Sequence, residues 1–192
     1  ERSKIKKEAD MSIKKPIRYA FLQIPNYSMV TFSSAVASLR GANYISKQDL
    51  YEWQVVSMDG VPVTASVGFE VTPTLHVNDL NLNDLEAVIV CGGTFIDRAY
   101  NKNTIAFLRK AANAKIKIGS TCTGSYLLAA AGLLDGYKST IHWENLASMR
   151  EEFPNVLMSS NLFAIDRDRF TCSGGNSSLD MMLQFVSNHY GP

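Results

Sequence analysis

No apolar run in this 192-residue sequence approaches the roughly 18 residues that a membrane-crossing helix needs. Nothing in it is expected to span a bilayer. The N-terminus, ERSKIKKEADMSIKK, lacks an apolar core and is not a secretory signal. Residues 1–15 are read as a charged, disordered tail, and 16–192 as the folded domain. There are only three cysteines, far apart and odd in number. A disulfide framework is not expected, and a reducing cytoplasm is the default location. Three histidines occur, none at a zinc-like spacing to the cysteines, and neither GxGxxG nor a P-loop is present. No metal or cofactor is expected. Charge of either sign is also in short supply: 19 basic and 18 acidic side chains leave a net +1. Such a surface has no strong general pull on nucleic acid. No helix-turn-helix pair and no basic face with interleaved aromatics is evident.

What is present is enough for one domain, since 46% of the residues are hydrophobic. Apolar runs alternate with helical periodicities. PIRYAFLQI reads as a buried strand, and Met29, Phe32, Val36 and Leu39 then fall at helical spacing. YEWQVVSM is a second strand. VPVTASVGFEVTP alternates and turns around Gly68, which predicts a small β ribbon. EAVIVCGG is a central strand ending in two glycines, NTIAFLRKAANA an amphipathic helix, and KIKIGS the next strand, followed by the helix TGSYLLAAAGLL. ENLASMREEF is another helix. LFAIDRDRFTCSGG is a hairpin with a solvated charged tip, and NSSLDMMLQFVSNHYG is a last helix capped by Asn176 or Ser177. Strands alternating with helices predict an α/β fold with a mainly parallel central sheet and helices on both faces. Ligands of such sheets sit beyond the carboxyl ends of the strands.

Two strand ends carry the chemistry. Gly92 and Gly93 either make a plain tight turn or aim their N–H groups at an oxygen. Cys122 lies between a strand and a small-residue helix, flanked by Gly119, Ser120, Gly124 and Ser125. That is the composition of a sharp nucleophile-elbow turn. A thiol at a helix start is expected to have a lowered pKa. Cys91 and Cys172 read as small buried hydrophobes. His142 follows Cys122 by twenty positions, and the extended stretch after Asp135 and Gly136 can return it to the cysteine. It serves equally as a partner or as a structural histidine. Trp143 beside Glu144 makes either a seat for a cation or an ordinary helix end. His76 and His189 look isolated.

The block STCTGSYLLAAAGLLDGYKSTIHWE resembles the cysteine turn of the ThiJ/PfpI superfamily, which shares the class I glutamine amidotransferase-like fold. YSMVTFSSAVASLRGAN, LLAAAGLLDG, IHWEN and TCSGGNSSLDMML resemble the N-terminal effector domain of AraC-type regulators. The branch resembled regulates carnitine, betaine and arginine catabolism. The resemblance covers residues 16–191. It implies a flavodoxin-like three-layer sandwich, a homodimer, a small-molecule effector, and DNA contact only through a C-terminal helix-turn-helix domain absent from this sequence. Active enzymes of the superfamily place an acid after the first strand. Here no Asp or Glu lies between Met11 and Asp49, and Val30 or Thr31 takes its place. The expected role is therefore an effector-sensing and dimerisation domain rather than an enzyme. An amino-acid-like or quaternary-amine ligand would be held by Cys122, Thr123, Gly92 and Gly93. Tyr27, Phe95, His142, Trp143 and Glu144 would line the rest. The alternative is a cysteine hydratase or amidase-like hydrolase using Cys122 and His142. A third reading is a dimerisation module with an empty pocket.

Overall fold

The computed structural model describes residues 15–191, and most of the expected tail, residues 1–14, lies outside them. Strand β1 (Ile17–Gln23) is buried on both faces over most of its length, as a central parallel strand must be. Its side chains divide the core. Ala20 and Leu22 face one layer, while Tyr19 and Phe21 face the other. Helix α1 (Met29–Ser46) follows, then β2 (Tyr51–Ser57), the short β3 (Leu75–His76) and β4 (Ala87–Cys91). Next come α2 (Lys102–Asn113), β5 (Lys117–Thr121) and α3 (Ser125–Ala130). The chain closes with β6 (Lys138–Ser139), α4 (Leu146–Glu152), β7 (Leu157–Met158), β8 (Phe163–Asp166), β9 (Arg169–Cys172) and α5 (Ser177–Tyr190).

Seven strands form one sheet in the order β3-β2-β1-β4-β5-β9-β8. All its pairings are parallel except the β8–β9 hairpin. β6 and β7 make a separate two-stranded ribbon. Leu22, Val88, Val90 and Ile118 pack against Phe107 and Leu108 of α2, Leu127 and Leu128 of α3, and Met149 of α4. On the other face, Phe21, Ile89 and Phe170 pack against Phe32 and Leu39 of α1 and Met181 and Phe185 of α5. The result is the expected flavodoxin-like three-layer α/β sandwich. Helix α2 starts on a capping box, in which Asn101 accepts from Asn103 and Thr104 N–H and Thr104 reciprocates. The N-cap expected from Asn176 makes no side-chain bond. Instead Ser177 Oγ accepts from Gly174 N–H at 3.0 Å and donates to Gly174 O at 2.6 Å.

Three expectations are corrected. Residues 61–73 form no β ribbon. Only the turn at Gly68 exists, closed by Ala65 N–H to Phe69 O at 2.8 Å. The flanking backbone is spent elsewhere: Asn26 N–H donates to Thr64 O and Ser66 N–H to Tyr27 O, both at 3.0 Å. The charged hairpin tip is not simply solvated. Arg167 stacks on the Tyr137 ring at 3.8 Å and donates to Gly136 O, and Asp168 accepts from Tyr137 Oη at 2.9 Å. Arg169 is buried and donates to Leu133 O. The tip thus clamps the turn that returns the chain toward His142. Nor is His189 isolated. Its Nδ1 lies 2.9 Å from Tyr51 Oη and its Nε2 3.7 Å from Glu86, and burial holds its pKa below the usual histidine value.

Gly119 of β5 lies under Phe170, whose ring in turn packs edge-on against Phe185 with centroids 4.7 Å apart. A Cβ at 119 would fall 2.1 Å from that ring. Gly119→Ala should therefore lower stability by about 1–3 kcal/mol in a urea titration. Combined with Phe170→Leu it should cost less than the two single changes summed, because the ring is the obstacle.

Candidate functional site

The carboxyl ends of β1, β4 and β5 meet in a set of close backbone approaches. Gly92 N–H and Gly124 N–H both donate to Thr121 O, at 3.2 and 3.0 Å. A Cβ on Gly92 would sit 2.2 Å from Gly124 N, and one on Gly93 only 1.9 Å from Asn26 O. Tyr27 and Gly93 form an isolated antiparallel bridge, with Ser28 N–H donating to Gly92 O and Thr94 N–H to Asn26 O. The glycines here are a steric requirement of loop stapling. The Gly92 N–H, already bonded to Thr121, is not free to meet a ligand oxygen.

Cys122 occupies the tight turn from β5 to α3 with φ 57°, in the left-handed region that a side-chain-bearing residue rarely adopts. Thr123 Oγ1 ties the turn to Gly93 O at 2.6 Å. His142 returns to the cysteine as expected of the chain path, its N–H donating to Cys122 O at 3.2 Å. Its Nδ1 lies 3.7 Å from Glu144. The loop from β9 to α5 covers the thiol. A Cβ built on Gly174 would stand 3.5 Å from Cys122 Sγ and 3.4 Å from the His142 ring.

That cover reverses one expectation. Cys122 is only 8% exposed, and burial pushes its thiol pKa up to about 11. A hydrogen bond from Thr123 N–H works against the rise, while Cys172 and Glu144 add to it. The six-residue helix that follows does not outweigh desolvation. Cys91 and Cys172 are fully buried and also raised, Cys172 to about 11.

Beside the thiol opens a cavity of about 780 Å³. Of the residues singled out in the sequence, Gly93, Phe95, Cys122, Thr123, His142 and Glu144 line it. Gly92, Tyr27 and Trp143 are not among its lining residues. Tyr27 is fully buried, edge-on to Phe32, with its hydroxyl pKa pushed up to about 12 by burial. Trp143 is 74% exposed and faces a separate depression of about 370 Å³ beside Leu146 and Leu162. Trp143 and Glu144 thus do not line a common seat. The sequence reading missed Asp97, Tyr126 and Glu152, which also line the cavity. Tyr126 Oη donates to Glu152 at 2.7 Å. Among the described lining residues are three carboxylates and no Lys or Arg, with Arg98 Nε 3.5 Å from Asp97.

The comparisons with known proteins agree with the fold. Residues 21–188 match the DJ-1/PfpI family, and the chain belongs to it. It is similar to the HTH-type transcriptional regulator GbdR of Pseudomonas aeruginosa, 44% identical over 92% of this chain and 47% of that protein. Among solved structures it is similar to an AraC family transcriptional regulator from Pseudomonas putida, with a TM-score of 0.82 and 31% identity, covering 92% of this chain and 94% of that one. An isonitrile hydratase of Pseudomonas putida is 38% identical over 71% of this chain and 59% of its own length. The chain spans about half the length of the curated regulators it matches. No helix among the described residues is long and apolar enough to cross a membrane.

The raised thiol sets a rate. Below its pKa the thiolate fraction of Cys122 changes tenfold per pH unit, to roughly one in three thousand at pH 7.5 for a pKa near 11. Iodoacetamide should therefore alkylate native Cys122 far more slowly than it alkylates a free cysteine peptide, and the rate should climb until about pH 11. Peptide mapping across pH 7–10 measures this, and a plateau near neutrality would contradict the buried-thiol account.

Proposed function

We propose that this chain is the effector-sensing domain of a bacterial transcription regulator and that its effector carries a positive charge. The cavity beside Cys122 is the observation that carries the reading: among the described residues its lining holds Glu144, Glu152 and Asp97, of which Asp97 is paired with Arg98 at 3.5 Å, and no Lys or Arg. The three carboxylates are exposed, and an excess of negative charge around a concave surface draws a cation rather than an anion. The exposed ring of Phe95 adds an aromatic face against which an ammonium group can rest. The regulators it resembles support the sensing role, and the branch named from the sequence favours an amino acid or quaternary amine. In this reading the domain pairs as a homodimer, and DNA contact falls to helix-turn-helix segments beyond residue 192.

The rival reading is a cysteine-dependent hydratase or hydrolase. It has one geometric point in its favour: the His142 backbone is bonded to Cys122 O, and its Nδ1 lies 3.7 Å from Glu144. Against it stands a thiol held protonated at neutral pH. The loop after β1 also supplies no acid, for Val30 is half exposed and the buried Thr31 spends its hydroxyl on Ser28 O. We expect no turnover of cyclohexyl isocyanide above background, whereas a rate abolished by Cys122→Ala would restore the enzyme.

The sensing role is tested with choline and its neutral isostere 3,3-dimethylbutan-1-ol. A ligand specific to the native state raises the melting temperature by mass action. Choline should raise it and the alcohol should not. Asp97→Asn or Glu144→Gln should each weaken choline binding by about 1 kcal/mol, the scale of a partly screened charge contact. Equal shifts from both compounds would sink the cationic effector.

A further inference from the structure

Cys122 lines a wide cavity yet is almost fully covered, and part of its cover is a short loop. Ser173, Gly174, Gly175 and Asn176 join β9 to α5. Both flanks of this loop are fixed. Ser173 N–H donates to Leu162 O at 2.8 Å. The first turn of α5 is pinned to α1 through Ser178 Oγ, which donates to Thr31 O at 2.8 Å. The middle is held by less. Gly174 N–H donates to Ser177 Oγ at 3.0 Å, and Gly174 O accepts from Ser177 Oγ at 2.6 Å and from Ser177 N–H at 3.2 Å. Gly175 O accepts from Ser178 Oγ at 3.3 Å. No large side chain anchors the middle, and Gly175 and Asn176 are exposed.

The loop backbone is one that glycine alone enters freely. Gly174 has φ 114° and Gly175 φ 56°. The second value lies in the left-handed region, which Asn also visits, and the first lies beyond it, where a side chain is strained. Clearance is not what demands glycine here. A Cβ at 174 would meet the His142 ring at 3.4 Å and Cys122 Sγ at 3.5 Å, and one at 175 would meet nothing within 4 Å. That differs from Gly92 and Gly93, where a Cβ would collide with backbone. A glycine-dependent conformation, tied by a few hydrogen bonds between two fixed flanks, is the make-up of a segment that opens locally.

The loop also divides two spaces. On its inner side lies Cys122 with the 780 Å³ cavity. On its outer side Gly174 and Gly175 line the 370 Å³ depression beside Trp143, and His142 borders both spaces.

We propose that residues 173–176 form a gate over Cys122. Closed, the gate shields the thiol from the Trp143 depression. Opening breaks the ties to Ser177, joins the depression to the cavity and returns the thiol to water. The flanks stay in place, so the sheet remains intact, and the backbone of Gly174 sets the balance between the two states. The device does not depend on what the cavity holds.

Alkylation of the 192-residue chain by iodoacetamide, followed by peptide mapping across pH 7–11, tests it. An open gate removes the desolvation that keeps the thiol protonated, so titration moves down toward that of an ordinary cysteine, about 8.5. Gly174→Ala strains the closed backbone without a clash. It should speed labelling of Cys122 at pH 7.5 by roughly tenfold or more and level the pH profile at about pH 9. Ser177→Ala, which removes the tie, should act in the same direction. Gly175→Asn suits φ 56° and should label at the native rate. Cys91, fully buried in β4, reports unfolding of the sheet, and its labelling should not change. If Gly174→Ala and Ser177→Ala both leave Cys122 at the native rate, or speed Cys91 in step with it, the loop is fixed packing and the gate is wrong.

Discussion

Everything at the candidate site depends on how closely three backbone segments approach at the ends of β1, β4 and β5. A Cβ would fit neither between Gly93 and Asn26 O nor between Gly92 and Gly124 N. Because those atoms are missing, the loops after β1 and β4 can be stapled by backbone hydrogen bonds, and the turn after β5 can sit against both. The staple then over-determines its neighbours. Asn26 and Phe95 are held in left-handed conformations that an isolated loop would relax out of. Cys122 is fixed in the same way by Thr123 and by the strand beneath it. The cavities are what remains between segments that cannot move independently.

Much of this was legible in the sequence. The apolar runs at β1 and β4, buried on both faces, could be read directly, as could the strand–cysteine–helix order and the return of His142. The cavity's acidity could not. Asp97 comes from a short 3-10 turn and Glu152 from the last residue of α4, segments that no local pattern ties to Cys122. The mistaken ribbon at 61–73 has a similar origin. Its alternation is real, but its N–H and C=O groups answer to the loop after β1 rather than to each other. The mistaken pKa direction came from weighing the helix start without the cover. That cover, Gly174 and His142, arrives from parts of the chain fifty-two and twenty residues away.

The hairpin tip shows how distant parts cooperate. Arg167, Asp168 and Arg169 hold the 133–138 turn by cation–π contact and hydrogen bonds. That turn determines where the chain re-enters as β6 and so where His142 meets Cys122. A charged tip that reads as solvated is instead a brace for the site, some distance from it. At the far end of the sheet, His189 and Tyr51 tie the last turn of α5 to β2 in a comparable way.

The chemistry of binding and the chemistry of catalysis pull against each other here. Glu144 contributes to raising the Cys122 thiol, and it is also one of the carboxylates that suit the cavity to a cation. Negative charge that would favour a cation disfavours a thiolate in the same space. A nucleophilic cysteine needs the opposite field, with positive charge or donors strong enough to overcome desolvation. Here only the Thr123 N–H acts in that direction, and burial wins. Desolvation is the larger cause, and Glu144, exposed to solvent, adds the least to it. The turn that strains Cys122 also places its thiol where burial, rather than the helix start, sets its protonation.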